Sequence, residues 1–255
     1  MLDLNRFQSI QASHEHDHLS TKYSFIPTTQ VVSQFEKMGW FPEKASEVHA
    51  RKNEGFQKHL IRFRREHFDM IPGNIIPEIV LTNSHDGLAS FQIMAGLFRV
   101  VCSNGLIVAD SMFASHKIRH MGYTNQAVKM AIEDVTETVP KIAGRIQEFR
   151  EIEMTPDERG IFAQAALEIK YGEEKEKYDT TRFLAPLRRV DEAPTLWNTY
   201  NIAQEKLIKG GRFKEVENSW RHQKARGVKA IGEDVRINKA LWMITEHFAA
   251  QKKAA

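Results

Sequence analysis

The chain has 255 residues, with 36 Lys and Arg against 33 Asp and Glu, a net charge of +3 and a hydrophobic fraction of 42%. Those figures fit an ordinary globular protein of one large or two small domains. The single cysteine, Cys102, excludes an internal disulfide framework and points to a reducing compartment. No apolar run approaches the ~20 residues needed to cross a bilayer. The N-terminus lacks a basic start followed by an apolar core, so a secretory signal is not expected and the cytoplasm is.

Residues 1–20 read as a mobile tail, in which His14, His16 and His18 alternate with Glu15 and Asp17. If extended, alternate residues share a face and could hold a metal; a solvated segment is the competing reading. Tyr23–Ile26 reads as a short strand. Pro27 and Thr28 open a helix with Val31, Phe35 and Met38 at helical spacing, and Gly39 stops it. One or two strands follow. The second, KHLIRFRR, alternates cleanly: Lys58, Leu60, Arg62 and Arg64 on one face, Ile61 and Phe63 on the other. With Arg51, Lys52 and Arg65 this stretch carries six Lys or Arg against two Glu between Arg51 and Glu66. A strand with one apolar and one arginine-rich face can contact phosphates without burying charge. An edge strand guarded by charge against aggregation is the alternative.

The most apolar stretch is Ile76–Asp110, with Asp86-Gly87 and Asn104-Gly105 as hairpin-turn signals. It predicts an antiparallel meander with strands near 78–84, 88–94, 97–102 and 106–109, and a bulge or bend at Gly96. Cys102 reads as a packed thiol and His85 as part of a hairpin tip. Beyond it, His116 and His120 have the i, i+4 spacing of helix-borne metal ligands, but no third ligand accompanies them. Lys117 and Arg119 beside them are candidates for phosphate contact.

Thr124 or Asn125 caps a long amphipathic helix that Pro140 should kink or split. Thr155, Pro156 and Glu158 form a capping box with proline at the first helical position, and Gly172 ends that helix. After a loop over 178–194, Thr195 caps a helix that Gly210-Gly211 terminates. A basic arm over 209–229 follows, with seven Lys or Arg and two Glu between Lys209 and Lys229 and with Phe213 and Trp220 interleaved. Aromatics among cations suit single-stranded nucleic acid, whose bases stack and whose backbone needs charge; an irregular solvated loop is the other reading. A last helix covers roughly Glu233–Ala249. The fold class is α+β: an antiparallel β-meander sheet over 21–122 with flanking helices, then a mainly helical part over 123–255, packed as one unit.

No phosphate-binding glycine loop, dinucleotide fingerprint, CxxC pair, zinc-protease motif or nucleophile elbow is present. Neighbours on a strand point to opposite faces, so Ser84-His85-Asp86 cannot act as a triad on adjacency alone. No catalytic residue, metal or cofactor is therefore assigned.

The run NSHDGLASFQIMAGLFRVVCSNGLIV resembles the central signature of a family carried by phages and plasmids, domain of unknown function 932. HLIRFR, MTPDERGIFAQAALEIKYG, LWNTYNIAQEKLIKGG and INKALW support the resemblance, which covers roughly residues 20–248. It implies a protein of mobile genetic elements in bacterial cytoplasm. A looser architectural similarity is to single-strand annealing proteins of the RecT, Redβ and Erf kind, which implies a basic, aromatic groove in a homo-oligomer. The expected function is single-stranded DNA binding, with strand annealing in recombination. Its binding residues are Arg51, Lys58, Arg62, Arg64, Arg65, Lys117, Arg119, Arg212, Phe213, Trp220, Arg221, Lys224 and Arg226. The alternative is an interaction module whose partner is a host protein of a defence complex.

Overall fold

A computed structural model describes residues 2–50, 52–65, 74–100, 104–107, 115–121, 124–216 and 219–254. The fold is α+β. It divides into two compact units, one ending at Pro140 and the other beginning at Lys141.

The first unit opens with α1, Thr28–Lys37, which buries Val31, Val32 and Phe35. Gly39 follows it in the left-handed region, at φ 80, where a side chain would be strained. Six antiparallel strands come next: β1 Trp40–Glu47, β2 His59–Arg65, β3 Ile75–Asn83, β4 Phe91–Arg99, β5 Asn104–Ile107 and β6 Ser115–Ile118. The sheet order is β1-β2-β3-β4-β5, and β6 shares the β4 edge with β5. β5 pairs with Gly96–Arg99 and β6 with Phe91–Met94. The predicted division of this stretch at Gly96 is corrected: β4 runs through Gly96, which stands opposite Glu78 on one side and Ile107 on the other. Asn104-Gly105 begins β5 rather than forming a turn. Cys102, Arg51 and Gly122 lie outside the described residues.

Register sorts the side chains into two faces. Ile61, Phe63, Ile79, Leu81, Ile93 and Leu97 share the face on which α1 lies, with the rings of Phe35 and Phe63 stacked 4.1 Å apart. Leu60, Arg62, Glu78, Val80, Thr82 and Met94 share the other. All of these are buried too, so the sheet is covered on both sides. Residues 2–20, expected as a mobile tail, are instead laid against this unit. Ile10 is fully buried, Ser9 donates to Glu47 Oε2, and the His16 N–H donates to the His85 carbonyl. Tyr23–Ile26, expected as a short strand, pairs with no described strand; its Ser24 N–H donates to the His120 carbonyl.

α2, Asn125–Glu151, continues through Pro140, where the two units divide. In the second unit α3, Pro156–Tyr171, starts on the predicted capping box: the Glu158 N–H donates to Thr155 Oγ1, and the Glu158 carboxylate accepts from the Thr155 N–H. Further on are α4, Thr180–Phe183, and α5, Leu196–Lys209, with Thr195 as N-cap. The last helix is α6, Ile231–Ala254. Trp242 joins Phe149 and Tyr200 in the core of this unit, at ring separations of 5.4 and 5.7 Å. The basic arm is a hairpin of β7, Gly210–Val216, and β8, Ser219–Arg226.

Candidate nucleic-acid interface

The basic strand β2 is not an open cationic face. Arg62 is 5% exposed. Its Nη1 donates to Glu78 Oε2 at 2.8 Å, and Arg64 Nε donates to Glu78 Oε1 at the same distance. Arg64 also bonds Glu43 Oε1 at 3.1 Å and lies 4.0 Å over the Phe98 ring. Glu78 itself is fully buried. The expectation that Arg62 projects away from the core is therefore corrected. An isolated carboxylate in an apolar sheet is costly, and two guanidiniums converge on it with charge-assisted hydrogen bonds. Arg65 is exposed at the strand end, 6.0 Å over the Trp40 ring. Lys58 is half-buried, and burial lowers its pKa.

Lys117 and Arg119 are exposed at the opposite side of the sheet, on and just after β6. His116 belongs to that strand and His120 to its exit, not to a helix, so the helical spacing that would bring them together is absent. His116 Nε2 lies 3.0 Å from Asp134 Oδ2. His120 stacks on Tyr23 with ring centroids 4.6 Å apart, and its Nδ1 meets the Ser24 carbonyl at 3.2 Å. Among the described residues neither histidine belongs to a cluster of three metal-ligating side chains.

The hairpin is built differently. Gly210 ends α5 at φ 79, and a Cβ there would sit 2.2 Å from the Ala225 carbonyl oxygen. Only glycine lets the helix pass directly into β7 at this approach. One lysine fastens the base of the hairpin and a second ties α5 to α4. Lys170 Nζ donates to the Leu207 and Arg226 carbonyls, both at 2.6 Å. Lys206 Nζ donates to the Arg182 and Ala185 carbonyls at 2.5 and 2.7 Å. Burial pulls both ammoniums down to a pKa of about 8.

Arg212 stands directly opposite Lys224, and Gly210 opposite Arg226, with a bulge between Arg212 and Lys214. Arg212, Lys224 and Arg226 are exposed, and among the described residues none has an ion-pair or hydrogen-bond partner for its side chain. Arg221 is also exposed. Phe213, the bulged residue, turns inward and is fully buried, its ring 5.1 Å from Phe183 and 5.8 Å from Tyr178. The expectation that Phe213 stacks on bases is corrected, because no face of that ring reaches solvent. The Trp220 side chain lies outside the described residues. Of the thirteen residues named from the sequence, six are on this hairpin, and Arg212, Arg221, Lys224 and Arg226 are exposed there.

The family profile described as Domain of unknown function (DUF932) matches residues 15–242. The chain belongs to the DUF932 family. This DUF932 protein is similar to two proteins of Escherichia coli (strain K12), the UPF0380 proteins YafZ and YfjQ. Each is 34% identical over 249 residues, covering 95% of this chain and 88% of the relative. No solved structure matches it.

Two features of this DUF932 protein are not apparent from its sequence. One is Glu78, a lone carboxylate in the run IIPEIV; a single acid inside an apolar strand needs a cation, the one signal that could have drawn Arg62 inward. The other is the stretch around Asn83–Asp86. His85 lies in the connection between β3 and β4, as expected, but is fully buried there. Thr28 Oγ1 lies 2.9 Å from His59 Nε2 and 3.3 Å from His85 Nε2, and it accepts from Asn83 Nδ2 at 3.1 Å. Burial, then the neighbouring His85, lowers His59 to a pKa of about 3; burial, then His120, lowers His85 to about 4. Both rings are neutral at physiological pH. Their hydrogen bonds knit α1 to β2 and to the end of β3, which is a structural role.

Proposed function

We propose that this DUF932 protein binds single-stranded DNA through the β7–β8 hairpin, with Arg212, Lys224 and Arg226 contacting phosphates. The observation that carries the reading is the cross-strand pair Arg212–Lys224. Like charges directly opposite one another weaken a hairpin. A phosphate between them converts that repulsion into attraction and releases counterions from the DNA. The proposal places the protein in strand annealing during recombination of a mobile element, acting as a homo-oligomer. Its support there is the likeness in composition and architecture to annealing proteins. Arg62 and Arg64, satisfied by Glu78, have no part in it.

The test is binding of a labelled oligothymidine, read by fluorescence anisotropy across a salt series. Substituting Arg212, Lys224 and Arg226 by Ala should weaken binding whatever the base sequence. The slope of log K against log salt should become shallower by roughly 0.7 for each phosphate no longer neutralised. Stability should stay within about 0.5 kcal/mol, since the three side chains are exposed. An unchanged affinity and slope, or no binding by the unaltered protein at low salt, refutes the proposal.

A further inference from the structure

The same hairpin gathers three metal-ligating side chains that phosphate binding does not use. Glu215 on β7 stands directly opposite His222 on β8. Asp179, the N-cap of α4, is held against β7 by its own N–H, which donates to the Phe213 carbonyl at 2.9 Å, and by a bridge between Tyr178 and Lys214. His222 Nε2 lies 3.1 Å from Asp179 Oδ2, and one ligand atom from each of Asp179, Glu215 and His222 falls within 4.8 Å of the other two.

We propose that Asp179, Glu215 and His222 form a binding site for a divalent transition-metal ion, zinc above all. Three arguments lead there. The first is distance: ligands about 2.0–2.2 Å from a tetrahedral zinc are roughly 3.3 Å apart. The Asp179–His222 separation already matches, and Glu215, exposed on its strand, closes the remainder by side-chain rotation. The second is pre-organisation. Asp179 Oδ1 accepts the Arg182 N–H at 3.0 Å, which fixes the carboxylate and leaves Oδ2 turned to the histidine. Such outer hydrogen bonds orient metal ligands. The third is ligand chemistry. An imidazole with two carboxylates selects a borderline transition metal over magnesium or calcium, which prefer all-oxygen sites. Arg182 Nε, 3.6 Å from Asp179 Oδ2 on a largely exposed side chain, is the cation that zinc displaces. Three protein ligands leave the fourth position open to water or a phosphate oxygen. The site stands whether or not the hairpin binds DNA.

The 255-residue chain, stripped with chelator, is titrated calorimetrically with zinc chloride. One saturable equivalent is expected, with magnesium giving none. His222→Ala and Glu215→Gln should each weaken that site by at least tenfold. Replacing His14, His16 and His18 together by Ala should leave it unchanged, which separates it from zinc held by the tail histidines. Should His222→Ala fail to fold, Glu215→Gln decides, because that side chain is exposed. Absence of a saturable site, full retention in Glu215→Gln, or loss in the tail variant overturns the proposal and leaves Asp179–His222 as an ion pair alone.

Discussion

Replacing Glu78 by Ala tests the reading of β2 most directly. The carboxylate is fully buried and accepts two guanidinium hydrogen bonds of 2.8 Å, from Arg62 and Arg64. Removing one partner of a buried, hydrogen-bonded ion pair costs about 3–5 kcal/mol, because the remaining charge stays desolvated. Glu78→Gln keeps the shape and one carbonyl acceptor, and should lose roughly 1.5–3 kcal/mol, the range of one charged hydrogen bond. Arg65→Ala, exposed at the end of β2, should change stability by about 0.5 kcal/mol. Native-state hydrogen exchange is the assay, since it follows each unit separately. At about 1.4 kcal/mol per tenfold, Glu78→Ala should speed exchange of the β2 and β3 amides by roughly two to three and a half powers of ten. Amides of α5 and α6 serve as the internal reference. If Glu78→Ala accelerates β2 and β3 by less than tenfold, the pair is not desolvated as described, and Arg62 returns as a candidate phosphate ligand.

Acid should weaken the first unit through His59 and His85. Their folded pKa values, about 3 and about 4, lie below the unfolded value of about 6.5. The unfolded chain therefore takes up protons first, and stability falls as pH drops from about 6.5 toward 4, by up to about 1.4 kcal/mol per pH unit for each ring. Urea unfolding at pH 7.5, 6 and 5 measures this, and His59→Gln should flatten the slope; an unaltered slope in that variant counts against the assignment. Phe213→Ala should destabilise the second unit by about 3–5 kcal/mol, as expected for a large core side chain, seen as faster exchange in α4 and β7; a merely local loss of DNA binding would contradict its buried position. Gly210→Ala forces a left-handed alanine against the Ala225 carbonyl, and at least 1–2 kcal/mol should be lost in thermal unfolding.

What was legible in the sequence was local. The capping box at Thr155–Glu158, the Thr195 cap and the glycine exits at Gly172 and Gly210 each depend on residues at most a few positions apart, and each is where the pattern placed it. The Asp86-Gly87 turn also has its glycine at positive φ, 74. Asn104-Gly105 misled because the same dipeptide can open a strand once the partner β4 is in place. The basic arm escaped recognition as a hairpin for a related reason. Bulges between Arg212 and Lys214 and between Glu215 and Val216 break the period of two, so neither strand shows clean alternation.

Arg62 illustrates the non-local part. Alternation correctly separated Arg62 from Ile61 and Phe63, but charge was then taken as a sign of solvent. That step holds only for a sheet with one wet face. Here Val80 and Met94 share the arginine face and are fully buried, so a charge on that face must bring its own counter-charge. Glu78 supplies it from the neighbouring strand, sixteen positions on and offset in register. The same reasoning run in reverse marks the hairpin. Arg212 and Lys224 face one another on exposed strands, and among the described residues no carboxylate pairs with either, which is the ground for proposing that a phosphate does. Within one protein, then, a run of arginines is not by itself a sign of nucleic acid, and the proposal rests instead on exposed cations that have no described partner. On that criterion the candidate interface moves from β2, where the sequence pattern is cleaner, to β7–β8, where it is not.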